Sequence, residues 1–160
     1  GNGDIASVLK DKDITYFASG VSNSNETRLS EVQREVNLLL QQDGHIVYFS
    51  SLCIFYLDNP YARHKRHMEK LIKANFKKYT IIRLGNIAWG NNPNTIINFL
   101  RNKIKNNEPF EIQNTQRYVV GKEEFLHWVD LIPKWNCEMN ITGQLLTITE
   151  IVRRIKLCQL

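Results

Sequence analysis

Short, continuous apolar runs alternate along this chain with longer stretches in which apolar residues recur every three or four positions. The apolar runs predict buried strands at 14–18, 45–50 and 79–84. The longer stretches predict amphipathic helices at 27–42, 61–76, 94–106 and 147–157. Strands that alternate with helices in this way are typical of α/β folds. We therefore predict an α/β domain with a mostly parallel sheet.

The helix at 61–76 carries a tyrosine and a lysine four residues apart, Tyr61 and Lys65. On a helix this spacing places the phenol and the ammonium on one face, where the cation can stabilise a phenolate. Such a tyrosine can exchange protons with a substrate alcohol or carbonyl. The same spacing also occurs where a solvated lysine lies beside a half-buried tyrosine, so both interpretations stay open.

The order of features around this pair carries more information than the pair itself. The strand at 45–50 leads into Ser51, ten residues before Tyr61, and another strand follows the helix. This order resembles the extended short-chain dehydrogenase/reductase family, which contains NAD(P)-dependent nucleotide-sugar epimerases, dehydratases and reductases. The resemblance implies a Rossmann-like, doubly wound sheet and a catalytic set of Ser51, Tyr61 and Lys65.

In enzymes of this family the tyrosine removes a proton from a sugar hydroxyl while hydride leaves the same carbon for NAD or NADP. The resemblance implies that Lys65 and the oxidised nicotinamide together lower the pKa of Tyr61, and that Ser51 donates a hydrogen bond to the oxygen as negative charge grows on it. A serine at the end of a strand also commonly satisfies only the loop backbone, and this alternative stays open. Phe55 stands where the family commonly has a tyrosine, and the loop before Tyr61 is short. The missing phenol is not a proton-transfer group, so its loss alone should not abolish activity, whereas the short loop indicates a different or smaller substrate.

The first residues fit the pattern G-x-G-x-x-A through Gly1, Gly3 and Ala6. This glycine-rich turn lets backbone approach a pyrophosphate at a helix N-terminus. The family places the turn after a strand, and nothing precedes Gly1, so we expect the usual first strand to be lacking. Glycines of a flexible terminus explain the pattern equally well.

Three small residues, Ala18, Ser19 and Gly20, follow the first predicted strand. Here the family passes its backbone close to the nicotinamide side of the cofactor, and an ordinary loop is the alternative. The acidic residue that usually holds the ribose hydroxyls about 20 positions after the turn has no counterpart in the sequence. The choice between NAD and NADP therefore stays open.

Two later residues match the substrate side of the family. Asn86 lies in an Arg-x-x-Asn-x-x-x-Gly stretch whose asparagine often touches the sugar nucleotide. Arg117 corresponds to an arginine often used on the substrate diphosphate, which suits a planar guanidinium. A turn-capping role for Asn86 and a surface ion pair for Arg117 are the alternatives.

Length and composition limit the number of domains and the classes of protein that fit the sequence. With 160 residues and 42% hydrophobic content, the chain can bury one core. We therefore expect a cofactor and catalytic region at 1–90 and a substrate-side region at 91–160, packed as one domain. No apolar stretch approaches the roughly 20 residues needed to cross a bilayer. Cys53, Cys137 and Cys158 lack metal-ligand spacing, which predicts reduced thiols in a cytoplasmic protein without a metal site.

Much of the net charge of +5 lies at 63–78. We expect these basic residues to be solvated, together with the surface histidines His64 and His67. Attraction of an anionic nucleotide-sugar is a second interpretation, and nucleic-acid binding ranks last because no aromatic residues are interleaved for base stacking. The family often dimerises through this helix, although the basic face here would repel its own copy. The competing function is a non-catalytic, Rossmann-like binding protein.

Overall fold

The computed structural model describes residues 3–9, 14–23 and 26–160. The strands are β1 (Thr15–Phe17), β2 (His45–Ser51), β3 (Lys78–Leu84), β4 (Asn86–Ile87), β5 (Gln116–Val120), β6 (Cys137–Ile141) and β7 (Gln144–Thr147). The helices are α1 (Leu29–Leu40), α2 (Pro60–Asn75), α3 (Ile96–Lys105), α4 (Lys122–Asp130) and α5 (Ile148–Lys156). Two short 3-10 helices, Ala6–Val8 and Leu52–Phe55, precede β1 and α2.

Four strands form the main sheet in the order β1-β2-β3-β6, and all neighbours run parallel. β2 and β3 lie at its centre, and the five inner residues of β2 are all buried. A parallel sheet covered on both faces requires such continuous apolar strands. The predicted α/β class is confirmed, and the three predicted strands agree with observed ones to within one residue at each end.

Helices cover both faces of the main sheet. α1 and α2 pack on one face, in a cluster that includes Leu39, Tyr48 and Ile72. α4 packs on the opposite face, where Phe125 meets Phe49 of β2. Full burial of an apolar side chain of this size contributes about 1.5–3 kcal/mol. The layers form the doubly wound, Rossmann-like arrangement that the sequence resemblance implied.

α2 begins where the sequence offers a helix cap. Asn59 Oδ1 accepts a hydrogen bond from the Ala62 amide at 2.8 Å. Pro60 occupies the first helical position, where its missing N–H leaves no bond unmade. Met68 and Ile72 then face the sheet and are fully buried. This cap fixes the position of Tyr61 in the first turn of the helix.

A smaller sheet of order β4-β5-β7 packs with α3 and α5 around a second apolar cluster. Gly143, between β6 and β7, has a φ of +64°, and a Cβ there would collide with the backbone of Val119, so the turn requires glycine. Each sheet contains strands from both sides of residue 90, because β4 joins the small sheet and β6 joins the main one. The division of functions at residue 90 stays a prediction.

No helix among the described residues has the length and apolar character needed to cross a membrane. The same residues contain no group of three or more His, Cys, Asp or Glu side chains that could hold a metal ion. All three cysteines are free thiols: Cys53 is buried, Cys137 is half-buried and Cys158 is exposed.

Candidate active site

The carboxyl ends of three parallel strands meet at one edge of the main sheet. β1 is followed by residues 18–20, β2 ends in Ser51, and β3 is separated by one residue from Asn86. Tyr61 lies in the first turn of the helix that follows β2. Open α/β sheets bind their ligands at this edge. The fold thus brings most of the predicted site residues to the edge where a ligand would lie.

Ser51 and Tyr61 lie close together. Ser51 caps the 3-10 helix Leu52–Phe55, with its Oγ accepting a hydrogen bond from the Cys53 amide at 3.3 Å. The same side chain lies close enough to the partly buried Tyr61 phenol to lower its pKa. Ser51 therefore makes the backbone contact that one interpretation of the sequence required, and its donation to a substrate oxygen stays a prediction.

Lys65 lies one helical turn after Tyr61 and is only 2% exposed. Its Nζ is 5.7 Å from the centroid of the Tyr61 ring. Its hydrogen bonds go to other groups: Nζ donates to the Tyr48 hydroxyl at 3.0 Å and to Glu35 Oε1 at 3.3 Å. The lysine and Tyr61 are neighbours on α2, but the ammonium is bound to side chains from β2 and α1.

Glu35 of α1 lies at the centre of this buried group and has no exposed surface. Its carboxylate accepts hydrogen bonds from the Val21 amide at 2.7 Å, the Tyr48 hydroxyl at 2.8 Å and His64 Nε2 at 2.7 Å. Burial raises the pKa of this carboxyl, but the Lys65 ammonium and the hydrogen bonds outweigh it and hold the pKa at about 2. Glu35 is therefore ionised at neutral pH.

The pKa of Tyr61 is raised above its ordinary value. Burial of the phenol is the largest cause, Cys53 and Glu35 act in the same direction, and the Ser51 hydrogen bond acts against them. The charge of Lys65 is compensated by Glu35, so it does not offset the burial of the phenol. The lowering expected from Lys65 and an oxidised nicotinamide together concerns the protein with bound cofactor and stays a prediction.

Only residues 3–6 of the predicted glycine turn lie among the described residues. Gly1 lies outside the described residues, and Ala6 opens a 3-10 helix of only three residues. So short a helix lacks the aligned amides that bind an anion. Between Gly3 and Ala6, the Asp4 carboxylate accepts hydrogen bonds from the backbone amides of residues 91–92, at 2.9 and 3.0 Å. This segment anchors the loop after β4, which is a different role from the one expected.

The backbone after β1 passes directly over the buried charge pair. A Cβ on Gly20 would lie 2.7 Å from Glu35 Oε1 and 3.0 Å from Lys65 Nζ. Both atoms are held in place by burial and hydrogen bonds, so the position has room only for glycine. The nicotinamide-side role of Ala18, Ser19 and Gly20 stays a prediction.

The two predicted substrate residues lie on the small sheet. Asn86 Nδ2 donates to the Tyr118 carbonyl at 3.0 Å, which holds β4 against β5. Arg117 donates to the carbonyl of the preceding residue at 2.9 Å. Burial raises the pKa of Tyr56, in the loop between β2 and α2, and the nearby Arg117 guanidinium acts against that effect. Arg117 thus lies near the loop that follows Ser51, and the substrate roles of Asn86 and Arg117 stay predictions.

A groove of about 340 Å³ opens between the first turns of α1 and α2. Val21, Leu29 and Pro60 supply apolar wall, and Tyr61 and His64 also line the groove. Leu29 is 82% exposed although it is apolar. It is the first residue of α1 and borders the groove, so it does not pack on the sheet.

Three residues of the site were missed by sequence reasoning: Glu35, Tyr48 and His64. His64 was expected on the surface, but it is 8% exposed because it faces α1 and bonds to Glu35. Glu35 lies three residues after Val32 and four before Leu39, on the apolar stripe of α1. A carboxylate on a buried stripe requires a cationic partner inside the protein, and this signal could have found it.

Parts of several crystal structures have a similar fold. CapF of Staphylococcus aureus, a capsular polysaccharide assembling protein, is 19% identical, with a TM-score of 0.63 over 96% of this chain and 46% of that one. The UDP-glucose 4-epimerase of Thermus thermophilus, crystallised with NAD, is 14% identical, with a TM-score of 0.59 over 82% and 53%. The Bordetella bronchiseptica enzyme WbmG, also in complex with NAD, is 17% identical, with a TM-score of 0.57 over 69% and 42%.

This chain shares their Rossmann-like fold. It spans about half the length of these proteins, and at under 20% identity the likeness concerns the fold. No protein-family profile matches the sequence. No curated protein matches it either. The resemblance first drawn from the order of strand, serine, tyrosine and lysine is thus confirmed at the level of architecture.

Proposed function

We propose that this chain carries the catalytic part of an extended short-chain dehydrogenase/reductase acting on a nucleotide-linked sugar with NAD or NADP, as an epimerase, dehydratase or reductase. The placement of Ser51 at the end of β2 and of Tyr61 in the first turn of α2, close enough for the serine to lower the pKa of the phenol, is the observation that carries the proposal. A phenol and a hydroxyl at that edge can both reach one oxygen of a bound sugar.

The described residues fit only one part of the cofactor. Residues 18–20 would hold the nicotinamide side, because backbone there passes close to Lys65 without an intervening side chain. Gly3 and Ala6 do not fit the pyrophosphate, since only a short 3-10 helix follows them. Hydride transfer is the chemistry that the nicotinamide supplies when bound.

The chain's own residues would handle the proton. A phenol keeps its proton at neutral pH, and burial raises the pKa of Tyr61 further, so Tyr61 would donate its proton to a sugar carbonyl. Ser51 would donate a second hydrogen bond to the same oxygen. Tyr61 would donate its proton when the substrate carbonyl is reduced. Oxidation of the substrate hydroxyl would use the same two groups, Tyr61 and Ser51, in reverse. Arg117 and Asn86 would bind the nucleotide-sugar beside the loop after β2.

Two measurements test the proposal. Quenching of nicotinamide fluorescence on adding the protein to NADH or NADPH reports cofactor binding. Conversion of a panel of UDP-sugars, followed by NMR with either cofactor, reports turnover. We expect Tyr61→Phe to lower turnover by at least about 100-fold, the usual contribution of a proton-transfer group, while cofactor binding persists. Tyr79→Phe, at the far end of β3, is the matched control. Unchanged turnover in Tyr61→Phe would remove the phenol from its role.

A second candidate is a non-catalytic nucleotide-binding protein. It is favoured by the hydrogen bonds of Lys65, which go to Tyr48 and Glu35, and by the raised pKa of Tyr61. Binding of NADH or NADPH without conversion of any UDP-sugar would support this candidate. The cytoplasmic location stays a prediction under both candidates, and dimerisation stays untested.

A further inference from the structure

Glu35 ties together elements that are far apart in the sequence. Its carboxylate accepts hydrogen bonds from the loop after β1, from β2 and from two consecutive residues of α2. The partners are Val21, Tyr48, His64 and Lys65, at 2.7 to 3.3 Å. A carboxylate offers about four acceptor positions, and these four donors fill them. A carboxylate with its acceptor positions filled and no exposed surface is not itself available to a ligand.

The arrangement around Glu35 is specific in charge as well as in shape. Lys65 supplies a compensating ammonium, without which a buried carboxylate would be strongly disfavoured. Tyr48 donates to Glu35 and accepts from Lys65, so the three groups close a triangle of hydrogen bonds. Gly20 lets the backbone pass close to both charged groups. The group therefore holds the Lys65 ammonium at one position beside Tyr61.

We propose that Glu35 is a positioning residue of the site, which fixes the Lys65 ammonium against Tyr48 and the backbone at Gly20 and compensates its charge next to Tyr61. This inference rests on the proposed function, because only that function makes Tyr61 and Lys65 part of an active site. The contacts that carry it are properties of the protein without any ligand, and they can be measured without turnover.

Two consequences follow for Lys65. A buried ammonium that donates to Glu35 and Tyr48 exchanges its hydrogens slowly with water, so it gives a resolved side-chain signal in ¹⁵N NMR at neutral pH. Glu35→Gln keeps the size of the side chain but removes the compensating charge. Burial then disfavours the charged form of Lys65, which either loses its proton or leaves its position.

The test uses the full chain without cofactor, labelled with ¹⁵N-lysine. Lys65→Met assigns the Lys65 signal. We expect Glu35→Gln to abolish this signal, or to accelerate its hydrogen exchange at least about tenfold, while the backbone spectrum stays folded. Tyr48→Phe is the matched control, because it removes one hydrogen-bond partner of Lys65 and leaves the ion pair. In Tyr48→Phe the Lys65 signal should persist.

Three results would overturn the proposal: no Lys65 signal in the unmodified chain, an unchanged signal in Glu35→Gln, or loss of the signal in Tyr48→Phe as well. If Glu35→Gln does not fold, the double variant Glu35→Gln/Lys65→Met decides. Recovery of a cooperative thermal transition supports the pairing, and failure to recover contradicts it. Failure of the proposed function would appear instead as absent binding of NADH and NADPH, with the Lys65 signal intact.

Discussion

The ionised Glu35 carboxylate should make the stability of this protein depend on pH in a defined range. Its pKa lies at about 2 in the folded protein, against an ordinary value of 4.5. A folded-state pKa below the unfolded one stabilises the protein above the unfolded pKa, and this contribution is lost as the pH falls through the folded pKa. The difference corresponds to about 3 kcal/mol, at 1.36 kcal/mol per pKa unit. The loss should therefore extend from about pH 5.5 down to pH 2.

Glu35→Gln removes this contribution, because the amide resembles the protonated acid in shape. At pH 7 we expect the variant to be less stable than the unmodified chain by about 3–5 kcal/mol, the cost of leaving one buried partner unpaired. Near pH 2 the two chains should differ by about 3 kcal/mol less than they do at pH 7. Urea unfolding of the two chains, followed by tryptophan fluorescence at steps from pH 2 to 7, measures the free energy of unfolding and thus the difference at each pH.

Glu31→Gln is the control on the same helix, because it removes the same charge from a surface pair with Arg34. Exposed pairs contribute about 0–1 kcal/mol, so this variant should follow the unmodified chain closely at every pH. If the stability of Glu35→Gln fell in parallel with that of the unmodified chain between pH 6 and 2, the Glu35 charge would not be the cause. The account of the buried group would then be refuted.

Two further predictions concern the loops around the site. Gly143→Ala should destabilise the protein by about 1–3 kcal/mol, because it forces a side chain into the left-handed region and against Val119, and thermal unfolding would show a lower midpoint. Arg66 donates to two carbonyls at 54–57, at 2.7 and 3.0 Å, so Arg66→Met should speed limited proteolysis in that loop. Lys70→Met, on the exposed face of α2, should leave the cleavage rate unchanged.

Much of the fold could be predicted from the sequence because its elements have strong local signals. β2 is buried along almost its whole length and therefore appears as an unbroken apolar run. α2 has its cap in Asn59 and Pro60, directly before the predicted helix. The strand, serine and tyrosine follow one another within a single βαβ unit, so local order alone placed Ser51 close to Tyr61.

The partners of Lys65 could not be predicted in the same way. Helical spacing fixes the face that a lysine shares with Tyr61, but it says nothing of where a long side chain donates its hydrogen bonds. Glu35, which binds the ammonium, lies 30 residues earlier on a different helix. The contacts of Asp4 could not be predicted for a related reason, because its carboxylate accepts hydrogen bonds from the backbone amides of residues 91–92. Both interactions depend on tertiary packing.

The position of β6 in the main sheet has a consequence for how the chain folds as it is synthesised. β6 covers the edge of β3, and Thr80 pairs with Cys137, far along the chain. Until that late segment has emerged from the ribosome, β3 presents an uncovered edge that another polypeptide could join. Closure of the sheet therefore waits for residues 137–141. Pairing over so long a separation in sequence slows folding.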